Sequence, residues 1–195
     1  MRNRIMLLVL LVSIWAVQGV QAQEYPRRDD PYVNDLAEIL PPEDEEALRE
    51  LVAKVAPEFD LTILTINSVA DYDPDATLES YATALFNRWE IGSLPENRGV
   101  LILLAVEDRS VRIELGDGYG TQYDDMAQTV IDVSMIPYFR SAGYAIGLEE
   151  GIRHLYHDIT GEYLDGAMVL LGEMYQGLGE TLRDILSLYY LTRPD

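Results

Sequence analysis

The sequence predicts an α/β fold, a three-layer-like sandwich in which a small mixed β-sheet is flanked by helices in the order α-β-α-β-β-α-α. Three observations predict it. Apolar residues at helical spacing alternate along the chain with short runs rich in β-branched residues. Two of those runs, "NRGVLILLAVED" and "VRIEL", are joined by a tight turn from Glu107 to Ser110, the pattern of an antiparallel hairpin. A helical stretch separates the first run from the second, which calls for a right-handed crossover and parallel pairing.

The elements follow in order. Pro41-Pro42 is a stop and a helix start, and Glu43, Asp44, Glu45 and Glu46 complement the dipole of the first turn. Leu48, Leu51, Val52 and Val55 then mark an amphipathic helix over 42–56. Residues 60–69, "DLTILTINSV", read as a strand. Residues 76–90 carry Leu78, Tyr81, Ala82, Leu85 and Trp89 on one helical face, with Asp75 as the expected cap. The apolar run after Gly99 suits a strand buried on both faces. After a glycine-rich turn, "DDMAQTVIDVSMIPYFR" predicts a helix stopped by Pro137, and "YAIGLEEGIRHLYHDITGEYL" a further helix.

The ends are read separately. Residues 1–22 have Arg2 and Arg4, an apolar run from Ile5 to Val17 and the ending Val20-Gln21-Ala22, which predicts a signal peptide cleaved near Ala22 and a periplasmic or secreted protein. The apolar run is short for a retained anchor. Residues 23–30 are a polar leader, 31–162 the α/β domain and 163–195 an amphipathic helical tail. In that tail Leu164, Met168, Leu171, Tyr175, Leu178, Leu182, Ile185 and Tyr189 form a heptad seam over 164–189. Its glycines weaken it, so it needs a surface, either its own domain, a partner protein or a membrane.

Charge and composition exclude several classes. The formal net charge is −20, and removal of the first 22 residues leaves 12 basic against 34 acidic residues, or −22. Nucleic acid and anionic lipid would be repelled, whereas divalent cations and basic proteins would be attracted. The absence of cysteine excludes disulfides, thiolate zinc sites and thiol nucleophiles. No G-x-S-x-G or Walker sequence is present.

The stretch "RIELGDGYGTQYDDMAQ", 112–128, is the leading candidate site. A strand, a glycine-rich turn and a helix start can cradle phosphate. Here, however, Glu114, Asp117, Asp124 and Asp125 crowd the turn, and a like charge about 5 Å from an anion costs on the order of 3 kcal/mol at an effective dielectric near 20. A divalent cation, Ca²⁺ or Mg²⁺, reverses the sign of that argument. The alternative is an N-cap by Asp124 without further function. Elsewhere, "DYDPDAT" lacks the turn glycine and bidentate glutamate of a calcium loop. The same loop has the Asp73, Asp75, Thr77 spacing of an aspartyl-phosphate motif, but too far beyond its strand. His154 and His157 with Asp158 could hold a transition metal, but the usual i, i+4 pair of histidines is missing, and a solvated helix face explains them as well.

Taken together, "PYVNDLAEILPPEDEEALRELV", "LFNRWEIGSLPENRGVLILLAVEDRSVRIELGDGYG" and "YDDMAQTVIDVSMIPYFRSAGYAIGLEEGI" resemble, in order and spacing, the TPM domain family of exported or membrane-tethered domains. The resemblance covers residues 31–162. Two departures are Asn97-Arg98-Gly99 where Asn-Gly is common, and the tail, which lies outside the pattern. The resemblance implies a compact α/β domain linked to divalent-metal binding, to an acid phosphatase activity, and to assembly or repair of membrane protein complexes. It makes Asp35, Glu114 and Asp124 the family-like acids, with Asn97 and Arg112 as ligand-orienting residues. Adding the residue-based reading gives a metal set of Asp35, Glu114, Asp117, Asp124 and Asp125, with Asp124 as the catalytic carboxylate if the protein is a metal-assisted phosphatase. The expectation is an accessory protein with a cation and a protein partner. A purely structural domain is the remaining alternative.

Overall fold

A computed structural model of the protein describes residues 25–92 and 96–164. The signal-peptide and heptad-tail readings fall outside those residues, apart from Leu164. The elements are β1 (Val33–Asp35), α1 (Pro42–Val55), β2 (Asp60–Ile66), a 3-10 turn (Val69–Asp71), α2 (Leu78–Arg88), β3 (Gly99–Ala105) and β4 (Ser110–Leu115). They continue as α3 (Gln122–Val130), a π-helical turn (Ile131–Met135), α4 (Ile136–Phe139) and α5 (Tyr144–Thr160).

The sheet has the order β1-β2-β3-β4. The first three strands are parallel, with Ile63 opposite both Val33 and Ile102, and β4 returns antiparallel with Ile113 opposite Ile102. This is the expected α/β architecture with its mixed sheet and hairpin. The period of two sorts β2 and β3 into two cores. Leu61, Ile63, Val100 and Ile102 pack with α1, α3 and α5, whereas Leu64, Ile66, Leu101 and Leu103 pack with α2. All seven residues of β3 are buried, as a strand covered on both faces requires. Among the described residues no helix is long and apolar enough to cross a membrane.

Four local expectations are corrected. The strand β1 was not foreseen, because three residues carry no period, and its pairing with β2 alone makes it a strand. The second strand stops at Ile66, since the Ser68 hydroxyl accepts from the Ala70 amide and starts the 3-10 turn. Thr77, and not Asp75, caps α2, in a reciprocal capping box with Ser80. Finally, Pro137 does not stop the helix begun at Gln122. The chain widens into the π turn, in which the Ile136 amide reaches back to the Ile131 carbonyl, and continues to Phe139. The missing amide of Pro137 is thereby absorbed without ending the helical path.

Candidate functional site

The glycine-rich turn lies at the end of the sheet where β2 and β3 begin, because the Gly116 amide donates to the Gly99 carbonyl (2.9 Å) and the Asp60 amide to the Arg98 carbonyl (3.2 Å). Its glycines serve close approach of backbones. A Cβ on Gly116 would stand 2.2 Å from the Asn97 carbonyl oxygen, and one on Gly118 would stand 2.1 Å from that of Glu96. Four of the turn's amides have backbone acceptors: Gly118 donates to Asn97, Tyr119 to Gly116, Tyr123 to Gly120 and Asp124 to Thr121. With the backbone contacts at Gly116 and Gly118, these bonds make the turn a packed corner. Buried Tyr119 locks it, donating its hydroxyl to the Arg98 carbonyl at 3.2 Å while the Arg98 guanidinium lies 5.8 Å from the centre of its ring. Burial pushes its phenol up to about 12, against a smaller opposing pull from Arg98.

The acids read from the sequence fall into three places. Glu114 points to the α2 face, nearly buried, where it accepts from Thr83 Oγ1 at 2.7 Å and from Arg112 Nε at 3.0 Å. Arg112 also reaches Glu79 at 3.6 Å. Asp117, Asp124 and Asp125 are exposed around the start of α3, which packs beneath the opposite face of the sheet. Helix α3 begins at Gln122 and has no side-chain cap, so the alternative of Asp124 as N-cap does not hold. Asp35 lies opposite Thr65, five residues along β2 from the level of the turn, or about 17 Å. Its carboxylate accepts from the Leu40 amide (2.8 Å) and the Thr65 hydroxyl.

Glu114 and Arg112 are therefore brought together, and Asp124 lines a small cleft with Arg112 at the β4 edge, while Asp35 stands apart at the far end of the sheet. Asn97, at φ 45°, is a turn residue whose carbonyl holds Gly118. It sits near Gly99, whereas Arg112 pairs with Leu103, so the two expected ligand-orienting residues stand at different levels of the sheet. Among the described residues no three His, Asp or Glu side chains converge to hold a metal ion. The five-carboxylate set therefore does not fit a single coordination sphere.

Two other places gather chemistry, the first of which the sequence did not single out. Where the parallel strands end, the Asp108 carboxylate accepts from the Ser68 hydroxyl (2.8 Å) and the Val69 amide (2.9 Å), tying the hairpin turn to the loop after β2. Beside it a cleft of about 660 Å³ is walled by Leu104, Val111, Ile136 and Phe139, with Arg109 and Arg140 also lining it. The hint in the sequence was Asp108-Arg109, quoted above within the family block, together with the end of "PYFR". The second place is a cleft of about 540 Å³ along α5. There Ser134 Oγ lies 2.8 Å from His154 Nδ1, and His154 Nε2 lies 3.4 Å from Asp158. His157 instead stacks on Tyr163, ring centres 4.1 Å apart, with its Nδ1 buried and unpartnered. The two histidines are thus engaged separately and half-buried, where a solvated face was expected.

A family model described as the TPM domain matches residues 33–157. Among solved structures, the chain is similar to the N-terminal domain of a protein from P. gingivalis, with 30% identity, a TM-score of 0.57, and 68% of this chain and 85% of that one covered. It is also similar to the BA42 protein of the psychrophilic bacterium Bizionia argentinensis, with 19% identity, a TM-score of 0.53, and 65% and 85% covered. The N-terminal domain of the cg2496 protein from Corynebacterium glutamicum has 15% identity, a TM-score of 0.50, and 74% and 90% covered. The last two likenesses are of fold alone. No curated protein matches the chain.

Proposed function

The chain belongs to the TPM domain family, and on that premise we propose that it works outside the cytoplasm as an accessory domain, binding a protein partner in an envelope or membrane complex and not turning over a substrate. The observation that carries the reading is the dispersal of its carboxylates. Metal-assisted phosphomonoester hydrolysis needs a cation, an attacking group and a base around one phosphate. Here Asp35 is engaged at one end of the sheet, Glu114 is engaged on the α2 face, and Asp124 stands exposed at the start of α3. Export rests on residues 1–22 and partner binding on the 164–189 seam.

The test is hydrolysis of an aryl phosphate by residues 23–195 with about 1 mM Ca²⁺ or Mg²⁺, compared with Asp124→Asn. Equal, blank-level rates are expected. Turnover that Asp124→Asn abolishes would replace the reading with the phosphatase alternative. A chain ending at Gly161 that kept full partner binding would remove the tail's share.

A second reading places a divalent cation at the turn. It is favoured by Asp117, Asp124 and Asp125, exposed carboxylates with no basic side chain within salt-bridge reach among the described residues, of which no more than two would ligate one ion. Coordination would be shallow and completed by water. Thermal melting in chelator and then in about 1 mM cation decides it, since ligand at 100 times its dissociation constant adds roughly 2.7 kcal/mol. The rise should vanish in Asp124→Asn, and an unchanged melting temperature removes the cation.

A further inference from the structure

We infer that the cleft between the β3–β4 hairpin and helices α4 and α5 binds a small amphiphilic acid, an oxyanion carried on an apolar body. The inference goes beyond the accessory-domain reading and stands whether or not the turn takes a cation.

The argument begins with charge. In a chain with 34 acids and 14 basic residues, arginines find carboxylates readily. Arg27, Arg28, Arg49, Arg112 and Arg153 each have one within 4 Å. Arg88, Arg98, Arg109 and Arg140 have none within that reach among the described residues, and of these Arg109 and Arg140 line one cleft. An acidic protein that holds two uncompensated guanidiniums around one concavity offers an anion a local site that its net charge otherwise denies. Guanidinium groups match carboxylate and phosphate oxygens in a bidentate fork.

The walls specify the remainder of the ligand. Leu104, Val111, Ile136 and Phe139 present apolar surface, and about 660 Å³ lies within the size of small-molecule sites. The cleft also opens beyond the carboxyl end of β3, where open α/β sheets bind ligands. Arg109 is held there by backbone geometry. It occupies the left-handed position of the hairpin turn, φ 51°, with its amide bonded to the Val106 carbonyl at 3.1 Å. Glycine suits that position better, so replacement of Arg109 by glycine removes the guanidinium without straining the fold.

This supplies a safe test. Residues 23–195 and the Arg109→Gly/Arg140→Gln protein are titrated calorimetrically with decanoate, decyl phosphate and decanol. The unaltered protein should bind the two acids more tightly than decanol. The double variant should lose about tenfold or more in affinity for the acids, keep its affinity for decanol and melt no lower. Decanoate alone or decyl phosphate alone showing this pattern would fix the oxyanion. The inference is overturned if the unaltered protein binds neither acid, if acid and alcohol bind equally, or if the double variant binds the acids unchanged. Flotation with phosphatidylglycerol vesicles that depends on the two arginines, without binding of free acids, would also overturn it and assign the anion to a membrane surface.

Discussion

The two ends of the sheet differ in how their loops are held. At the end where β2 and β3 begin, loops meet backbone to backbone: Gly116 and Gly118 press on Asn97 and Glu96, four of the turn amides find acceptors, and Tyr119 closes the corner. At the other end the Glu107 amide meets the Asn67 carbonyl, the Asp108 side chain adds bonds from Ser68 and Val69, and a cleft is left beside them. The glycine-rich turn that stands out in the sequence lies at the closed end. The open end holds the larger cleft, about 660 Å³ against about 290 Å³ beside Phe59, Gly92 and Arg98 at the closed end. A glycine-rich strand-to-helix turn therefore indicates where backbones come close.

Breaking the closed end should have the largest effect. Gly118→Ala places a Cβ 2.1 Å from a carbonyl oxygen that is itself part of the backbone, so a loss of about 3 kcal/mol is expected in urea denaturation. A loss within the noise of the neutral surface range would show that the loop gives way and the contrast is overstated. Next comes Asp30, at the same end. Burial alone would raise its carboxyl, but hydrogen bonds from Val33 and Tyr32, with Arg49, hold it below the usual carboxylate range. A depressed acid contributes stability that is complete above its unfolded value near 4 and is lost as pH falls through the folded value. Asp30→Ala should cost about 2 kcal/mol at neutral pH and flatten the acid limb of the stability curve.

Tyr119 sharpens the comparison from the alkaline side. Its phenol is raised by burial, so its contribution is present below about 10 and lost as pH rises to about 12. Tyr119→Phe should cost about 1 kcal/mol at neutral pH, and ultraviolet titration should lose one late-ionising tyrosine. If the late step persists unchanged, the corner is open to water. The smallest expected effect belongs to the open end and has the opposite sign: Arg109→Gly relieves a left-handed residue and should gain about 0.5 kcal/mol. A loss of stability there would mean that the arginine braces the hairpin.

What the sequence by itself determined was local. The apolar period of α1 and α2, the β-branched runs of β2 and β3, and the turn between β3 and β4 follow from side-chain spacing, and the structure repeats them within a few residues. The family was legible for a related reason, since motif order survives in one dimension. Tertiary structure decided which neighbours in sequence are neighbours in space. Glu114 and Asp124 are ten residues apart, yet β4 turns the first toward α2 while the second rides on a helix under the other face. Asp35 shares a family motif with neither, and the parallel register carries it to the far end of the sheet. Arg109 and Arg140 meet around one cleft only because the π turn lets the helical path pass Pro137 and bring α4 against the hairpin. The physical reason is that periodicity is set by bonds between near residues, whereas the gathering of a site depends on register and packing between elements that contribute no signal to one another's sequence.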